Sequence, residues 1–174
     1  APVDLRTAAP AGGGRRRVTR HFDVLGLIGD TPLVGVHALS PNPEVKIWAK
    51  LEGQNPGGSS KDRIARKMIE LAEADGRLQR GATILEPSSG NTGIGLALVA
   101  KLRGYSLRVV MPDNVSVERR QLLEIFGAEI TLSPGEEGSN GAIRMAEKIA
   151  ADSPEYVLLF QYGNPANPLA HYEG

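Results

Sequence analysis

Short apolar runs alternate with longer stretches of helical period from Phe22 onward. This alternation is typical of βαβ units, in which helices connect parallel strands. Strands are predicted at Val45–Leu51, Thr83–Glu86, Leu107–Met111, Glu129–Leu132 and Tyr156–Phe160. Helices are predicted between them, at about Asp62–Ala74, Thr92–Leu102, Val117–Phe126 and Gly141–Ala151. Right-handed crossovers then predict an α/β fold, an open parallel sheet of βαβ units with helices on both faces.

Turn and capping residues agree with these elements. Ser116 precedes the third helix as a capping residue, and Gly127 falls where that helix must stop before the next strand. In open parallel sheets, ligands bind outside the carboxyl ends of the strands. We therefore expect functional residues in the segments that directly follow the predicted strands.

The first twenty residues differ in composition from the rest. Residues 1–20 combine alanine, proline, a Gly12–Gly14 run and an Arg15–Arg17 run, with few large apolar side chains to bury. We interpret them as a disordered basic N-terminal tail, either a solvated arm or the remnant of an organelle transit peptide. Because the sequence begins with Ala1 rather than Met, we expect it to be part of a longer protein.

Charge and cysteine content narrow the class of partner. Twenty basic residues balance twenty acidic ones, so no excess charge favours nucleic acid or an anionic membrane surface. No apolar run reaches the roughly 20 residues that cross a bilayer. The chain has no cysteine, which excludes disulfides, thiolate metal sites and a cysteine nucleophile within it. We expect a small-molecule partner and a cytoplasmic location, with an organelle as the alternative if the tail is a transit-peptide remnant.

Two further groups of residues are assigned no chemistry. His21, His37 and His171 are scattered without the spacing of metal ligands, so no metal site is predicted. Arg119 and Arg120, on the third predicted helix, are interpreted as a solvated helix face.

The first candidate segment, residues 54–63, lies between a predicted strand and a predicted helix. Its glycines allow tight turns and Ser59 or Ser60 can cap the helix, which places Lys61 at the helix start. A cation there opposes the helix dipole, at a typical cost of some tenths of a kcal/mol to about 1 kcal/mol. The dipole and partial burial favour the neutral amine, which attacks an aldehyde to form a Schiff base. The alternative is an exposed lysine beside Asp62.

The second candidate segment, residues 86–93, again follows a strand and opens a helix. Backbone N–H groups at the helix start, with the hydroxyls of Ser88, Ser89 and Thr92, form a receptor for a carboxylate or a phosphate. The alternative is an ordinary helix N-cap. The glycine spacing in residues 90–95 matches neither common nucleotide-binding fingerprint, so dinucleotide binding is the second choice.

The third candidate segment, residues 161–168, follows the last predicted strand. Its two Asn-Pro pairs favour a turn, and Gln161 stands at a strand's carboxyl end, where it can reach the same crevice. A plain loop is the alternative.

An ordered set of segments, including these three, resembles cysteine synthase (O-acetylserine sulfhydrylase) and its relative cystathionine β-synthase, which are fold type II enzymes dependent on pyridoxal phosphate (PLP). The resemblance is carried by residues 28–34, 55–63, 86–95, 111–112, 118–120, 127–129 and 161–167. It implies that residues 21–174 are the N-terminal part of the catalytic unit. The phosphate cradle of the family comes later in the chain than these residues.

The resemblance also implies roles for individual residues. Lys61 would carry PLP as a Schiff base and remove the substrate's α-proton, and Asn91 would hydrogen-bond the 3′ oxygen of the pyridine ring. The residues that would grip the substrate α-carboxylate are Ser88, Ser89, Gly90, Thr92 and Gln161.

The implied reaction is β-replacement on an activated serine, either O-acetylserine or O-phosphoserine, by a sulfur donor to give cysteine. The implied assembly is a homodimer. Cystathionine β-synthase is the alternative enzyme, and a nucleotide-binding or regulatory module is the alternative outside enzymes.

Overall fold

A computed structural model describes residues 20–173. The predicted tail, apart from Arg20, lies outside the described residues. The strands are β1 Leu33–Gly35, β2 Trp48–Lys50, β3 Thr83–Pro87, β4 Ser106–Pro112, β5 Glu129–Ser133 and β6 Tyr156–Leu158. The α-helices are α1 Lys61–Ala74, α2 Asn91–Arg103, α3 Val117–Ile125, α4 Gly138–Asp152 and α5 Ala166–Tyr172. Short 3₁₀ turns occur at Val24–Leu27, His37–Leu39, Glu52–Gln54 and Gly135–Glu137.

The main sheet is parallel, with strand order β5-β4-β3-β6. On one face, Ile84 and Val109 join a core with residues of α1, α2 and α3. On the other face, Leu85 and Val110 pack against Ala142 and Ala146 of α4. The predicted α/β fold with helices on both faces is therefore confirmed. Fully burying a side chain such as Ile84 stabilises the fold by about 1.5–3 kcal/mol.

The prediction that Val45–Leu51 belongs to the parallel sheet is wrong. Only Trp48–Lys50 is a strand, and it pairs antiparallel with β1 in a separate two-stranded sheet. A parallel pair needs a crossover connection, usually an α-helix. The segment between β1 and β2 contains Pro41 and Pro43, which disfavour a helix, and the chain turns back on itself instead.

The last strand is shorter than predicted and a helix follows it. Strand β6 ends at Leu158, and Phe160 has a left-handed backbone with φ of 56°, which breaks the extended run. The third candidate segment turns at residues 161–163 and then enters α5. Pro165 and Pro168 lie at the start of this helix, where the missing proline N–H groups cost little.

Candidate functional site

The first turns of α1 and α2 lie side by side because Gly95 has no side chain. A Cβ at Gly95 would lie 3.1 Å from the carbonyl oxygen of Lys61 and 3.2 Å from Cβ of Ala65. Both distances are closer than most Cβ contacts in proteins, so a larger residue would push the helices apart. This approach packs the backbone of Lys61, at the start of α1, against the N-terminal part of α2, directly after the loop that precedes α2.

Lys61 is half-buried at the first position of α1. Its backbone N–H donates to Oγ of Ser59 at 3.1 Å, whereas Ser60 makes no capping bond with its side chain. Within residues 20–173, the Lys61 amine has no hydrogen-bond or salt-bridge partner. The amine is therefore available to a ligand, and the role of Lys61 as the Schiff-base lysine stays a prediction.

Asp62 fixes the turn in front of this lysine. Its side chain is fully buried and accepts a hydrogen bond from the Gly57 N–H at 2.5 Å. Burial raises the pKa of the Asp62 carboxyl. Only glycine fits at position 57, since a Cβ there would lie 2.4 Å from Oδ1 of Asp62. The buried carboxylate thus anchors the loop that delivers Lys61.

The second candidate segment caps the start of α2 through the Ser88 side chain. Ser88 is buried, and its Oγ accepts hydrogen bonds from the N–H groups of Gly93 at 3.0 Å and Gly90 at 3.4 Å. The capping alternative is therefore correct for the Ser88 hydroxyl oxygen. The substrate-binding role of Ser88 stays a prediction.

Other N–H groups of this loop remain free. Within the described part of the chain, the N–H groups of Ser89, Asn91 and Thr92 have no acceptor. Unpaired N–H groups at a helix start form a receptor for an anion. The backbone of the loop therefore has donors for a carboxylate, and the substrate-binding roles of Ser89, Gly90 and Thr92 stay predictions.

Gln161 lies next to this loop. Oγ1 of Thr92 donates a hydrogen bond to Oε1 of Gln161 at 2.6 Å, and Nδ2 of Asn167 donates to the Gln161 carbonyl at 3.1 Å. The segments after β3 and β6 therefore meet at the carboxyl edge of the sheet, where the sequence placed a shared crevice.

Glu86 was assigned no role from the sequence, yet it joins these two segments. Its side chain is fully buried at the end of β3, and its carboxylate accepts hydrogen bonds from the N–H groups of Phe160 at 2.8 Å and Gln161 at 3.0 Å. Burial raises the pKa of Glu86 to about 7, although these two N–H donors oppose the shift. An acidic residue ending an otherwise apolar strand was the signal available in the sequence.

The interpretation of Arg119 and Arg120 as a solvated helix face is incomplete, since Arg119 is exposed but Arg120 is half-buried and both guanidinium groups bond to backbone carbonyls. The guanidinium of Arg119 donates a hydrogen bond to the carbonyl oxygen of Ser89 at 3.2 Å, and that of Arg120 donates to the carbonyl of Asp113. Arg119 is exposed, but its end contacts the anion-receptor loop. Helix α3 is thus tied to the candidate site.

A partly buried ion pair between Arg63 and Glu52 links α1 to the segment that precedes it. The Arg63 guanidinium binds Glu52 through both carboxylate oxygens, at 2.8 and 2.9 Å, and Thr31 donates to the same carboxylate at 2.5 Å. The hydrogen bond from Arg63 holds the pKa of Glu52 at about 2, with burial opposing this shift. The carbonyl oxygen of the Asn55 side chain accepts the Gly29 N–H at 2.9 Å. These contacts fasten the N-terminal segment to α1.

Glu86 and Glu52, whose pKa values shift in opposite directions, make contributions to stability that depend on pH in opposite ways. The folded-state pKa of Glu86, about 7, exceeds its ordinary value of 4.5, so its contribution is complete below pH 4.5 and is lost as pH rises through about 7. We expect this loss to reach about 2 to 3 kcal/mol in the free energy of unfolding. Glu52 has a lowered pKa, so its contribution is present above pH 4.5 and is lost as pH falls through about 2.

Urea unfolding at pH 5 and pH 8 measures the Glu86 contribution. In the wild type, the free energy of unfolding should be lower at pH 8 than at pH 5. In Glu86→Gln this difference should be smaller by most of the loss of about 2 to 3 kcal/mol assigned to Glu86. Glu129→Gln, at an exposed position, should leave the difference unchanged. An identical fall in Glu86→Gln and the wild type would refute the assignment.

Neither a metal site nor a membrane span is found in the described part of the chain. No group of three or more histidine, aspartate or glutamate side chains could hold a metal ion within residues 20–173. None of the described helices is long and apolar enough to span a membrane.

Of the three histidines assigned no chemistry, His37 contacts Trp48 edge-to-face, with ring centroids 4.9 Å apart.

The fold and the site together define an α/β protein that presents a lysine amine and an anion receptor at the carboxyl edge of a parallel sheet. Residues 24–174 match the family described as pyridoxal-phosphate dependent enzyme. The chain belongs to this family of PLP-dependent enzymes.

Individual relatives point the same way. The chain is 52% identical over 151 residues to a cysteine synthase from a Flavobacterium species, covering 87% of this chain and 49% of that protein. It is 46% identical over 155 residues to a cystathionine beta-synthase from Dictyostelium discoideum, covering 87% of this chain and 31% of that protein. An O-acetyl serine sulfhydrylase, isoform 3, from Entamoeba histolytica has a similar structure, with a TM-score of 0.83 and 40% identity over 94% of this chain and 50% of that one. The chain thus spans about half the length of its cysteine synthase relative.

The residues present fit the reactive end of the family's cofactor. The Lys61 amine is half-buried without a described partner, and Asn91 exposes its side chain at the first position of α2. A Cβ added at Gly90 would meet nothing within 4 Å, so the space over the loop is open. An amine, an exposed amide and open space thus lie at one edge of the sheet.

Proposed function

We propose that this chain provides the lysine and the carboxylate receptor of a cysteine synthase, which replaces the leaving group of O-acetylserine or O-phosphoserine with a sulfur donor. The observation that carries the proposal is the close approach of α1 and α2 at Gly95, which packs the backbone of Lys61 against α2. The N–H groups at the start of α2 have no acceptor within residues 20–173. An amino-acid substrate needs both: a base for its α-proton and a receptor for its carboxylate. The identity to a named cysteine synthase supports the same reaction.

Lys61 and Asn91 would hold the cofactor. Lys61 would bond to its aldehyde carbon, and the Asn91 amide would hydrogen-bond its 3′ oxygen. When bound, PLP supplies an electron sink that makes the substrate's α-hydrogen acidic. This assignment rests on the Lys61 amine, which has no partner among residues 20–173, and on the exposed position of Asn91.

The loop before α2 would bind the substrate carboxylate. Its free N–H groups, at Ser89, Asn91 and Thr92, supply the donors, and Gly90 leaves room above them. Gln161 is held against the Thr92 hydroxyl at 2.6 Å, so its amide N–H groups can add a further donor. Fixing the carboxylate orients the α-carbon of the substrate relative to Lys61.

Lys61 would move one proton in each half of the reaction. As a neutral amine it takes the α-proton while acetate or phosphate leaves the β-carbon. The sulfur nucleophile then bonds to the β-carbon, and the ammonium of Lys61 returns the proton to the α-carbon. The net change is replacement of the leaving group by sulfur, with the lysine regenerated.

A cystathionine β-synthase activity is the second candidate, favoured by the identity to the Dictyostelium protein. The experiment supplies the whole protein, loaded with PLP and O-acetylserine or O-phosphoserine, with sulfide in one assay and homocysteine in another. Cysteine formation from sulfide with little product from homocysteine is expected. A preference for homocysteine would support the second candidate, and no product from either would contradict both.

The homodimer and the cytoplasmic location implied by the resemblance are also proposals. The family acts on small-molecule substrates, in agreement with the balanced charge of the chain.

A further inference from the structure

We propose that Glu86 is a positioning residue for substrate binding, which acts by holding Gln161 in place beside the carboxylate receptor. This inference rests on the proposed function, because it assigns Gln161 to the site that binds the substrate carboxylate. Glu86 is fully buried, so it acts through Gln161 rather than by touching the substrate.

Where β6 ends, the carboxylate of Glu86 takes the place of backbone carbonyl groups of β3 as the hydrogen-bond acceptor. The register of β3 and β6 runs from Thr83 beside Tyr156 to Leu85 beside Leu158, and one more backbone bond joins the Leu159 N–H to the Leu85 carbonyl. The next two N–H groups, at residues 160 and 161, bond to the two oxygens of Glu86 instead. Glu86 therefore directs the chain as it leaves the sheet.

The backbone at this exit has an unfavourable conformation. Phe160 has φ of 56°, a left-handed value that a bulky residue rarely adopts and that persists only where surrounding contacts enforce it. The two hydrogen bonds that Glu86 accepts, from the N–H groups of Phe160 and Gln161, are such contacts. Without these hydrogen bonds, the left-handed conformation of residue 160 would be less stable, and Gln161 would move away from the receptor loop.

Gln161 is held at three points, and Glu86 supplies one of them. Its N–H bonds to Glu86, its carbonyl accepts from Asn167, and its side-chain oxygen accepts from Thr92. Glu86 lies just before the receptor loop in the sequence and Thr92 just after it. Gln161 therefore bonds to both ends of this loop.

In the described part of the chain, no carboxylate takes a comparable position at the neighbouring strand pair, β4 and β5. At the ends of β4 and β5 the pairing simply continues through a backbone bond from the Asp113 N–H to the Ser133 carbonyl, at 3.0 Å. A buried carboxylate is costly unless its oxygens are hydrogen-bonded. The Glu86 carboxylate lies at the strand end that leads into Gln161, which agrees with a role in positioning that residue.

The test compares single and double variants of the whole protein loaded with PLP. The affinity for L-alanine, an amino acid without a β leaving group, is measured through the change in cofactor absorbance. We expect Gln161→Ala and Glu86→Gln each to weaken the affinity about tenfold, the effect of losing one hydrogen bond to a charged group. Because Glu86 acts through Gln161, the double variant should be no weaker than Gln161→Ala alone. Glu73→Gln, a half-buried glutamate far along α1, is the matched control and should bind normally.

The outcomes separate this inference from the proposed function. Wild-type affinity in Glu86→Gln, or a double variant about a hundredfold weaker, would overturn the role of Glu86 while leaving the proposed function intact. A wild-type protein that binds no PLP would overturn the proposed function and this role with it.

Amide hydrogen exchange in the wild-type protein provides a test that does not depend on a variant's folding. The N–H groups of Phe160 and Gln161 lie outside β6, yet the bonds to Glu86 should slow their exchange at least a hundredfold relative to an unstructured chain. Addition of L-alanine should slow the Gln161 amide further. Exchange of both amides at unprotected rates would refute the inference even if Glu86→Gln failed to fold.

Discussion

Replacing Lys61 with alanine is expected to lower the rate of cysteine formation by at least about a thousandfold, because general acid–base catalysis by one residue contributes about 10²–10⁴ and the cofactor loses its covalent attachment as well. The rate is measured with O-acetylserine or O-phosphoserine and sulfide, on the whole protein supplied with PLP. The fold should not change, since the Lys61 amine makes no hydrogen bond within the described residues.

Lys67→Ala is the matched control for this variant. Lys67 lies on the same helix but forms a salt bridge with Glu173, with a distance of 2.5 Å between Nζ and Oε2. Its replacement should leave the rate within about twofold, because an exposed ion pair contributes only about 0–1 kcal/mol. Equal losses in the two variants would mean that Lys61 has no special role in the reaction.

Replacing Gly95 with valine is expected to destabilise the protein by about 3 kcal/mol and to abolish activity. The new side chain would meet the Lys61 carbonyl and the Ala65 side chain at distances near 3.1 Å, and overpacking of this kind typically costs about 1–3 kcal/mol, with a second methyl group adding to it. The start of α1 would shift, carrying Lys61 away from the receptor loop. Urea unfolding and the rate assay measure the two effects.

Gly93→Ala, two residues earlier on α2, is the matched control. A Cβ there would lie 3.4 Å from Oγ of Ser88, an ordinary contact, and alanine favours a helix over glycine by about 1 kcal/mol. This variant should be at least as stable as the wild type. If Gly95→Val unfolds no more easily than Gly93→Ala, the close approach of the two helices is not needed to place Lys61.

The sequence predicted the main sheet well because its strands are apolar runs separated by amphipathic helices, and each helix is bounded by glycine or capping residues. Gly104 and Gly127, for example, have positive φ values just after α2 and α3. The prediction was wrong for β2 because a single apolar run does not reveal its partner. Pairing depends on the connection to β1, and the proline-containing turn between them decided it.

The candidate site was predicted unevenly for a related reason. Lys61 and the receptor loop each carry a local signal, a lysine or a polar cluster at a helix start. Glu86 is an acidic residue at the end of an apolar strand, but this signal does not identify its partners, because the N–H groups of Phe160 and Gln161 are more than 70 residues away in sequence. The contact of Arg119 with Ser89 is likewise set by packing of α3 on the sheet and not by a motif.

The most direct test of the role of Lys61 is borohydride reduction of the whole protein with PLP bound, followed by peptide mass spectrometry. Reduction converts a lysine–cofactor bond into a stable secondary amine. The expected result is a single pyridoxyl-modified peptide with the modification on Lys61, at the start of α1. Modification of a different lysine, or a protein that takes up no cofactor at all, would contradict the assignment of Lys61 as the residue that carries PLP.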